Sequence, residues 1–197
     1  MSITFVARTV LPTEWGEFAM FGFEDDETGK EHIALALGDL KSSSEPILCR
    51  VHSECLTGDA LGSLRCDCGS QLQYAMQSIG EAGYGLILYL RQEGRGIGLV
   101  EKLKAYNLQD TGQDTYEANV NLGHPEDGRT FEPAIAILRH LEIHKIKVLT
   151  NNPEKVKAFD HLDDLEVVER VPLQVGSDPE NIEYLEAKKI VKGHFFS

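Results

Sequence analysis

Between Arg50 and Gln71 the chain reads RVHSECLTGDALGSLRCDCGSQ, and three of its four cysteines fall there: Cys55, Cys66 and Cys68. Thiolates favour soft or borderline metal ions, and a zinc ion with three protein ligands keeps a fourth position open for chemistry. Cys66 and Cys68, one residue apart, would close a disulfide loop too short to be comfortable. A turn can instead aim both sulfurs at one ion, with Cys55 folding back across the Gly58 to Gly62 loop. The plainer alternative is a set of small buried thiols without metal, since cysteine is among the most buried residue types. Polar company favours chemistry: His52, Glu54, Asp59, Arg65, Asp67 and Gln71 crowd the same stretch. A catalytic metal site is therefore the first expectation. Cys49, inside an apolar run, is expected in the core.

A second candidate is Arg91 to Gly98, RQEGRGIG, lying between an apolar run of strand length and a helical pattern. Glycines at 94, 96 and 98 would let backbone N–H groups approach an anion, and Arg91 and Arg95 add fork-shaped donors. No Gly-Lys-Ser/Thr follows, and the third glycine of a dinucleotide fingerprint is missing, so a simple tight turn explains the spacing equally well. Lys155 follows Asn151-Asn152-Pro153 in the first turn of an expected helix. The helix dipole disfavours a cation there, so Lys155 either answers an anionic ligand or is an ordinary solvated lysine.

The elements around these residues predict an α/β fold in one domain over 1–197, with a mixed sheet, a β-rich N-terminal part, and strands alternating with helices after about residue 70. Strands are expected at Ile3–Val10, Trp15–Phe23, His32–Leu37 and Ile47–His52, with turns at Leu11-Pro12-Thr13, Asp25 to Gly29, and Ser42-Ser43-Ser44 with Pro46. Tyr84–Leu90 reads as a strand covered on both faces, and Ile146–Leu149 as another buried strand. Helices are expected at Leu72–Glu81, ended by Gly83, at Leu99–Gln109, at Phe131–Glu142, from Pro153 through Phe159, and from Asp178-Pro179 to Lys192 before Gly193. Asp114 with Glu117 reads as a capping box for a short helix to Leu122. Leu165–Val175 is expected to be extended, and GHPEDGR, residues 123–129, to be a loop. The net charge of −13 disfavours nucleic acid and anionic membrane as partners. No apolar run approaches a bilayer's thickness, no secretory layout opens the chain, and a cytoplasmic location is expected.

RVHSECLTGDALGSLRCDCGSQL, LRQEGRGIGL, AYNLQD, DTYEAN, LTNNPEK and VERVPL, in this order, resemble GTP cyclohydrolase II. The resemblance implies conversion of GTP to 2,5-diamino-6-(5-phosphoribosylamino)pyrimidin-4-one, formate and pyrophosphate, the opening step of riboflavin synthesis. It implies that Cys55, Cys66 and Cys68 bind one zinc, whose water attacks C8 of guanine, and that magnesium accompanies the triphosphate. By the same resemblance GTP is contacted by Arg50, Val51, His52, Ser53, Glu54, Gln71, Glu93, Gly94, Arg95, Thr115, Thr150 and Lys155. Asp127 is implied as general base, Arg129 as nucleophile, Tyr106 as a participant in ring opening, and a homodimer as the assembly.

Physical chemistry qualifies two of these roles. Three thiolates leave a zinc site net negative, which weakens its activation of water, so an acid or base must help; His52, Glu54 and Tyr106 are the candidates. A guanidinium is almost always protonated, so Arg129 fits electrostatic stabilisation better than nucleophilic attack. Without the resemblance, Asp127 and Arg129 would read as part of an exposed turn and Tyr106 as packing. Three rivals remain at this stage. A zinc nucleobase deaminase would use His52-Ser53-Glu54, although no Pro-Cys-x-x-Cys follows. A nucleotide sensor would hold a structural zinc and need a fourth protein ligand. A relative could also stop at the formamidopyrimidine, which the presence of Tyr106 argues against.

Overall fold

The computed structural model describes residues 2–41 and 45–195, so the expected Ser42-Ser43-Ser44 turn lies outside the described residues. One mixed sheet contains β1 (Ile3–Thr13), β2 (Gly16–Asp25), β3 (Glu31–Leu37), β4 (Ile47–Ser53), β5 (Gly85–Leu90), β6 (Lys145–Leu149) and β7 (Glu166–Val171). Their spatial order is β1-β2-β3-β5-β4-β6-β7. The first three and β5 pair antiparallel, while β5, β4, β6 and β7 run parallel. The β-rich start and the later alternation therefore become two halves of a single sheet.

The first hairpin differs from expectation. Pro12 does not turn the chain; it pairs with Glu17, and Thr13 pairs with Gly16, so the turn falls at Glu14 and Trp15. β1 is an edge strand, where a residue lacking an N–H is tolerated. Thr13 fixes the turn by donating its hydroxyl to the Gly16 carbonyl at 2.8 Å.

The helices are α1 (Leu56–Asp59), α2 (Cys68–Ala82), α3 (Leu99–Gln109), α4 (Thr115–Asn121), α5 (Glu132–His140), α6 (Pro153–Lys157) and α7 (Ile182–Lys192). The single turn α1 was not foreseen within the Cys55-to-Gly62 loop. Helix α2 opens at Cys68 rather than Leu72, because its first turn is polar and carries no apolar periodicity. It stops at Gly83, whose φ of 74° suits glycine. The Asp114–Glu117 capping box is present on α4, and Asn152 caps α6 by accepting the Glu154 N–H. The last helix is preceded by a short 3₁₀ turn at Pro179–Asn181.

The sheet is covered on both faces, as the unbroken apolar run of β5 predicts. Leu86, Leu88 and Leu90 pack with Cys49, Val51, Ile146 and Val148 against Ile137 and Leu138 of α5. Ile87 turns the other way, meeting Phe18, Leu149 and Leu173 under Ala75, Met76 and Ile79 of α2. Each large side chain so buried contributes about 1.5–3 kcal/mol. Among the described residues no helix is long and apolar enough to cross a membrane.

Strand order also locates a crevice. From β4 the chain passes through α1 and α2 to β5 on one side, whereas β6 leads to β7 on the other. Diverging connections open a gap beyond the carboxyl ends of β4 and β6, the usual ligand position in such sheets.

Beside that gap α1 and α2 touch backbone to backbone. A Cβ on Gly69 would lie 2.1 Å from the Gly58 carbonyl oxygen, and one on Gly58 would lie 3.0 Å from the Cys66 sulfur. Glycine to alanine normally gains about 1 kcal/mol within a helix. Here Gly69→Ala should reverse that sign, with a loss of about 1–3 kcal/mol from overpacking and a lower thermal midpoint by calorimetry.

Candidate active site

The cysteines meet where the start of α2 packs on α1. The sulfurs of Cys55, Cys66 and Cys68 all lie within 4.8 Å of one another, and Cys55 and Cys66 are 3.6 Å apart. A tetrahedral zinc with Zn–S bonds of about 2.3 Å spaces its sulfurs roughly 3.8 Å apart, so the cluster fits such an ion. Its protonation points the same way. Hydrogen bonds from the Cys66 and Cys68 thiols, with the nearby Lys102 ammonium, hold Cys55 far below the ordinary thiol range. The same sharing, with Cys55 the main cause, pushes Cys66 up to about 11 and Cys68 well above its usual value. A divalent cation held by the three sulfurs would take the place of the shared protons. Cys49 stands apart in the core, its thiol raised to about 12 by burial.

Asp59 braces this corner. Its carboxylate accepts the Cys55 N–H at 3.0 Å, the Tyr89 hydroxyl at 2.8 Å and His52 Nε2 at 3.0 Å. Burial keeps the His52 imidazole below its ordinary pKa despite Asp59. A neutral ring donating from Nε2 leaves its buried Nδ1 as an acceptor without a protein partner.

Across the same pocket stand cations. Lys155 is 5% exposed, and its Nζ donates to the Val51 carbonyl at 2.8 Å. The solvated-lysine alternative is thereby excluded. Burial, then Arg50 and Arg129, hold its pKa well below the ordinary value. Arg50 donates to the Leu149 carbonyl at 3.0 Å and to Gln71 Oε1 at 2.5 Å, while its Nε is buried without a partner. Desolvation lowers it to about 10. Arg95 reaches Thr115 Oγ1 at 2.8 Å and lies over the Tyr116 ring. None of the three pairs with a carboxylate among the described residues.

Most of the expected site residues line this one pocket: Arg50, His52, Ser53, Glu54, Gln71, Glu93, Gly94, Arg95, Thr115, Thr150, Lys155, Tyr106, Arg129 and the three cysteines. Val51 contributes its carbonyl from behind. Arg91 points away and pairs with Glu54 at 2.9 Å, so Arg95 alone of the two arginines serves the pocket. Asp127 lies on the far side of Arg129, gripping its guanidinium with both oxygens. The exposed-turn alternative fails for Arg129, whose side chain is only 15% exposed. Burial disfavours that charge, but Asp127 more than offsets it and holds the pKa above the usual range. His52 points to Asp59 and stands outside the sulfur cluster, so the deaminase-like reading of His52-Ser53-Glu54 has no geometric support.

Sequence reasoning missed several neighbours. Lys102 contacts Cys55; it lies four residues before Tyr106, on the same face of α3, and that spacing was the available signal. Tyr184, Lys188 and His194, from α7 and the residues after it, also line the pocket. Lys188 pairs with buried Asp67 at 2.5 Å across 121 positions of sequence, and Asp67 also accepts from Gln71.

A sheet-end crevice that joins a metal-capable thiol cluster to unmatched buried cations defines an α/β enzyme for an anionic substrate. The family model for GTP cyclohydrolase II matches residues 4–172, and the chain belongs to that family. It is 58% identical over 197 residues to the GTP cyclohydrolase-2 of Shewanella sediminis, covering all of this chain and 95% of that one. Against the GTP cyclohydrolase-2 of Shewanella oneidensis the identity is 59%, covering 100% and 96% of the two chains. Among solved structures, a two-domain 3,4-dihydroxy-2-butanone 4-phosphate synthase from A. baumannii is 18% identical with a TM-score of 0.45, over 84% of this chain and 39% of that one. That likeness is too slight to bear on function.

The Asp67–Lys188 pair ties α7 to the Cys66–Cys68 turn. Lys188→Met leaves a buried carboxylate unmatched and should cost about 3–5 kcal/mol in denaturant unfolding. Adding Asp67→Asn should recover part of that loss, because no unpaired charge remains.

Proposed function

We propose that this chain hydrolyses GTP, opening the imidazole ring of guanine with loss of formate and cleaving the triphosphate with release of pyrophosphate. The product is 2,5-diamino-6-(5-phosphoribosylamino)pyrimidin-4-one, the starting compound for riboflavin. Membership of the GTP cyclohydrolase II family and near-full-length identity to GTP cyclohydrolase-2 proteins support this reading. The structural observation that carries it is the placing of buried Arg50 and Lys155 and of half-buried Arg95, none with a carboxylate partner among the described residues, in one pocket with three clustered thiols. Unmatched buried charge is costly, and a triphosphate would relieve it.

Cys55, Cys66 and Cys68 would hold zinc. When bound there, the ion supplies Lewis acidity that makes water a competent nucleophile near neutral pH. Asp59 fixes the ring of His52, which is among the pocket's lining residues and keeps an unshared lone pair on its buried Nδ1. Tyr106 lies with its hydroxyl 3.3 Å from Thr57 Oγ1, and burial raises its pKa. It therefore keeps its proton and acts as a hydrogen-bond donor. Glu54, paired with Arg91, is less available as a base. At the triphosphate, Arg129 stabilises charge on the phosphoryl group as pyrophosphate leaves, and magnesium arrives with the nucleotide. Asp127 holds that guanidinium in place. Burial works against the Asp127 carboxylate's charge, but Arg129 brings its pKa below the ordinary value, so it is a positioning group before it is a base.

Incubating the zinc-loaded protein with GTP and magnesium should yield formate and pyrophosphate in equal amounts; ammonia in place of formate would sink the reading. Arg129→Ala should abolish pyrophosphate release with zinc still bound, and loss of zinc would show the division of labour to be wrong. Tyr106→Phe should stall turnover at a partly opened ring, seen as an accumulating formamidopyrimidine by chromatography. Normal production of the final compound would remove Tyr106 from the mechanism.

A further inference from the structure

Three thiolates around a divalent ion leave one net negative charge, and electron-rich sulfur donors blunt the ion's ability to polarise a ligand. Lys102 occupies the place where that effect can be corrected. From α3 its Nζ lies 3.1 Å from Cys55 Sγ, 2.9 Å from Thr57 Oγ1 and 2.8 Å from Glu93 Oε1. The residue is 9% exposed. An ammonium has three donors, so each proton has one acceptor and the group's orientation is fully defined. Glu93 is itself anchored, accepting the Leu56 N–H at 2.6 Å and the Gly94 N–H at 2.9 Å. The other cations nearby are engaged elsewhere. Arg65 pairs with Asp110 and covers Tyr106, and Lys188 is held by Asp67.

We propose that Lys102 is a positioning residue whose charge-assisted N–H···S hydrogen bond withdraws electron density from Cys55 and so sharpens the Lewis acidity of the ion that the three cysteines hold. Glu93 and Thr57 aim the ammonium at the sulfur. The inference rests on the ion-site part of the proposed function and is independent of which nucleotide is the substrate. Groups contacting metal ligands in this way commonly change activity or affinity by about 10–100-fold when removed. Simple pairing with Glu93 is the competing account, and it gives the sulfur no part.

The two accounts separate in the cobalt(II)-substituted protein, where thiolate-to-cobalt charge transfer absorbs in the near ultraviolet. A hydrogen bond lowers the energy of the sulfur lone pair and moves that band to shorter wavelength. Lys102→Met keeps the apolar stem and removes every donor. It should bind one cobalt per chain with the band moved to longer wavelength, and the zinc form should lose about 10–100-fold in kcat. Lys102→Arg, which retains charge and N–H donors, should return the band toward its original position. If Lys102→Met does not fold, Lys102→Gln replaces it, with a smaller shift in the same direction expected. A thiolate band that is present but indifferent to residue 102 overturns this proposal alone. Absence of any thiolate band in the unsubstituted protein overturns the ion site, and the role of Lys102 with it.

Discussion

Charge cannot be buried without a partner, and the crevice beyond β4 and β6 is organised by that constraint. Arg129 is matched by Asp127, Lys188 by Asp67, and Lys102 by Glu93 together with the Cys55 thiolate. These groups are fixed structure, and two of them, Lys188 and Lys102, tie distant segments to the site. Arg50, Lys155 and Arg95 have only neutral partners among the described residues. The two populations look alike in sequence. They differ in what the fold sets opposite them, and only the second is left to recognise an anion.

The backbone serves the same end at the glycine loop. Arg95 has a φ of 58°, a conformation that costs a non-glycine residue of order 1–3 kcal/mol. Its surroundings hold it there: the Gly128 N–H donates to the Arg95 carbonyl at 3.0 Å, and its side chain reaches Thr115. The loop carrying Arg129 is thus docked on the loop carrying Arg95. A Cβ on Gly96 would lie 3.0 Å from the Gly128 carbonyl oxygen, which explains the need for glycine at that point.

Local signals were legible in the sequence. The cysteine spacing, the Asp114–Glu117 box, the Asn152 cap, the stop at Gly83 and the two-sided burial of β5 each depend on a few neighbouring residues. Pro12 misled because a proline marks a turn in most contexts, and whether a strand lies at an edge is decided by pairing partners far away. Lys155 was undecidable for a similar reason, since its burial comes from β4, 104 positions earlier. Lys102 was legible only as lying on the face of Tyr106, and Lys188 not at all, because their partners come from other elements. The family resemblance supplied roles for Asp127, Arg129 and Tyr106 that composition and spacing could not. The structure adds why Arg129 is charged and held, which makes electrostatic stabilisation the simpler part for it.

One wall of the pocket is made by Tyr184, Lys188 and His194, beyond the last strand and beyond the residues that the family model matches. Phe195 extends the attachment by donating its N–H to the Asn151 carbonyl at 2.9 Å while Arg170 lies over its ring. During translation every strand of the sheet leaves the ribosome before this wall exists. A nascent chain can therefore assemble its core and gather its sulfurs while the cavity is still open on one side.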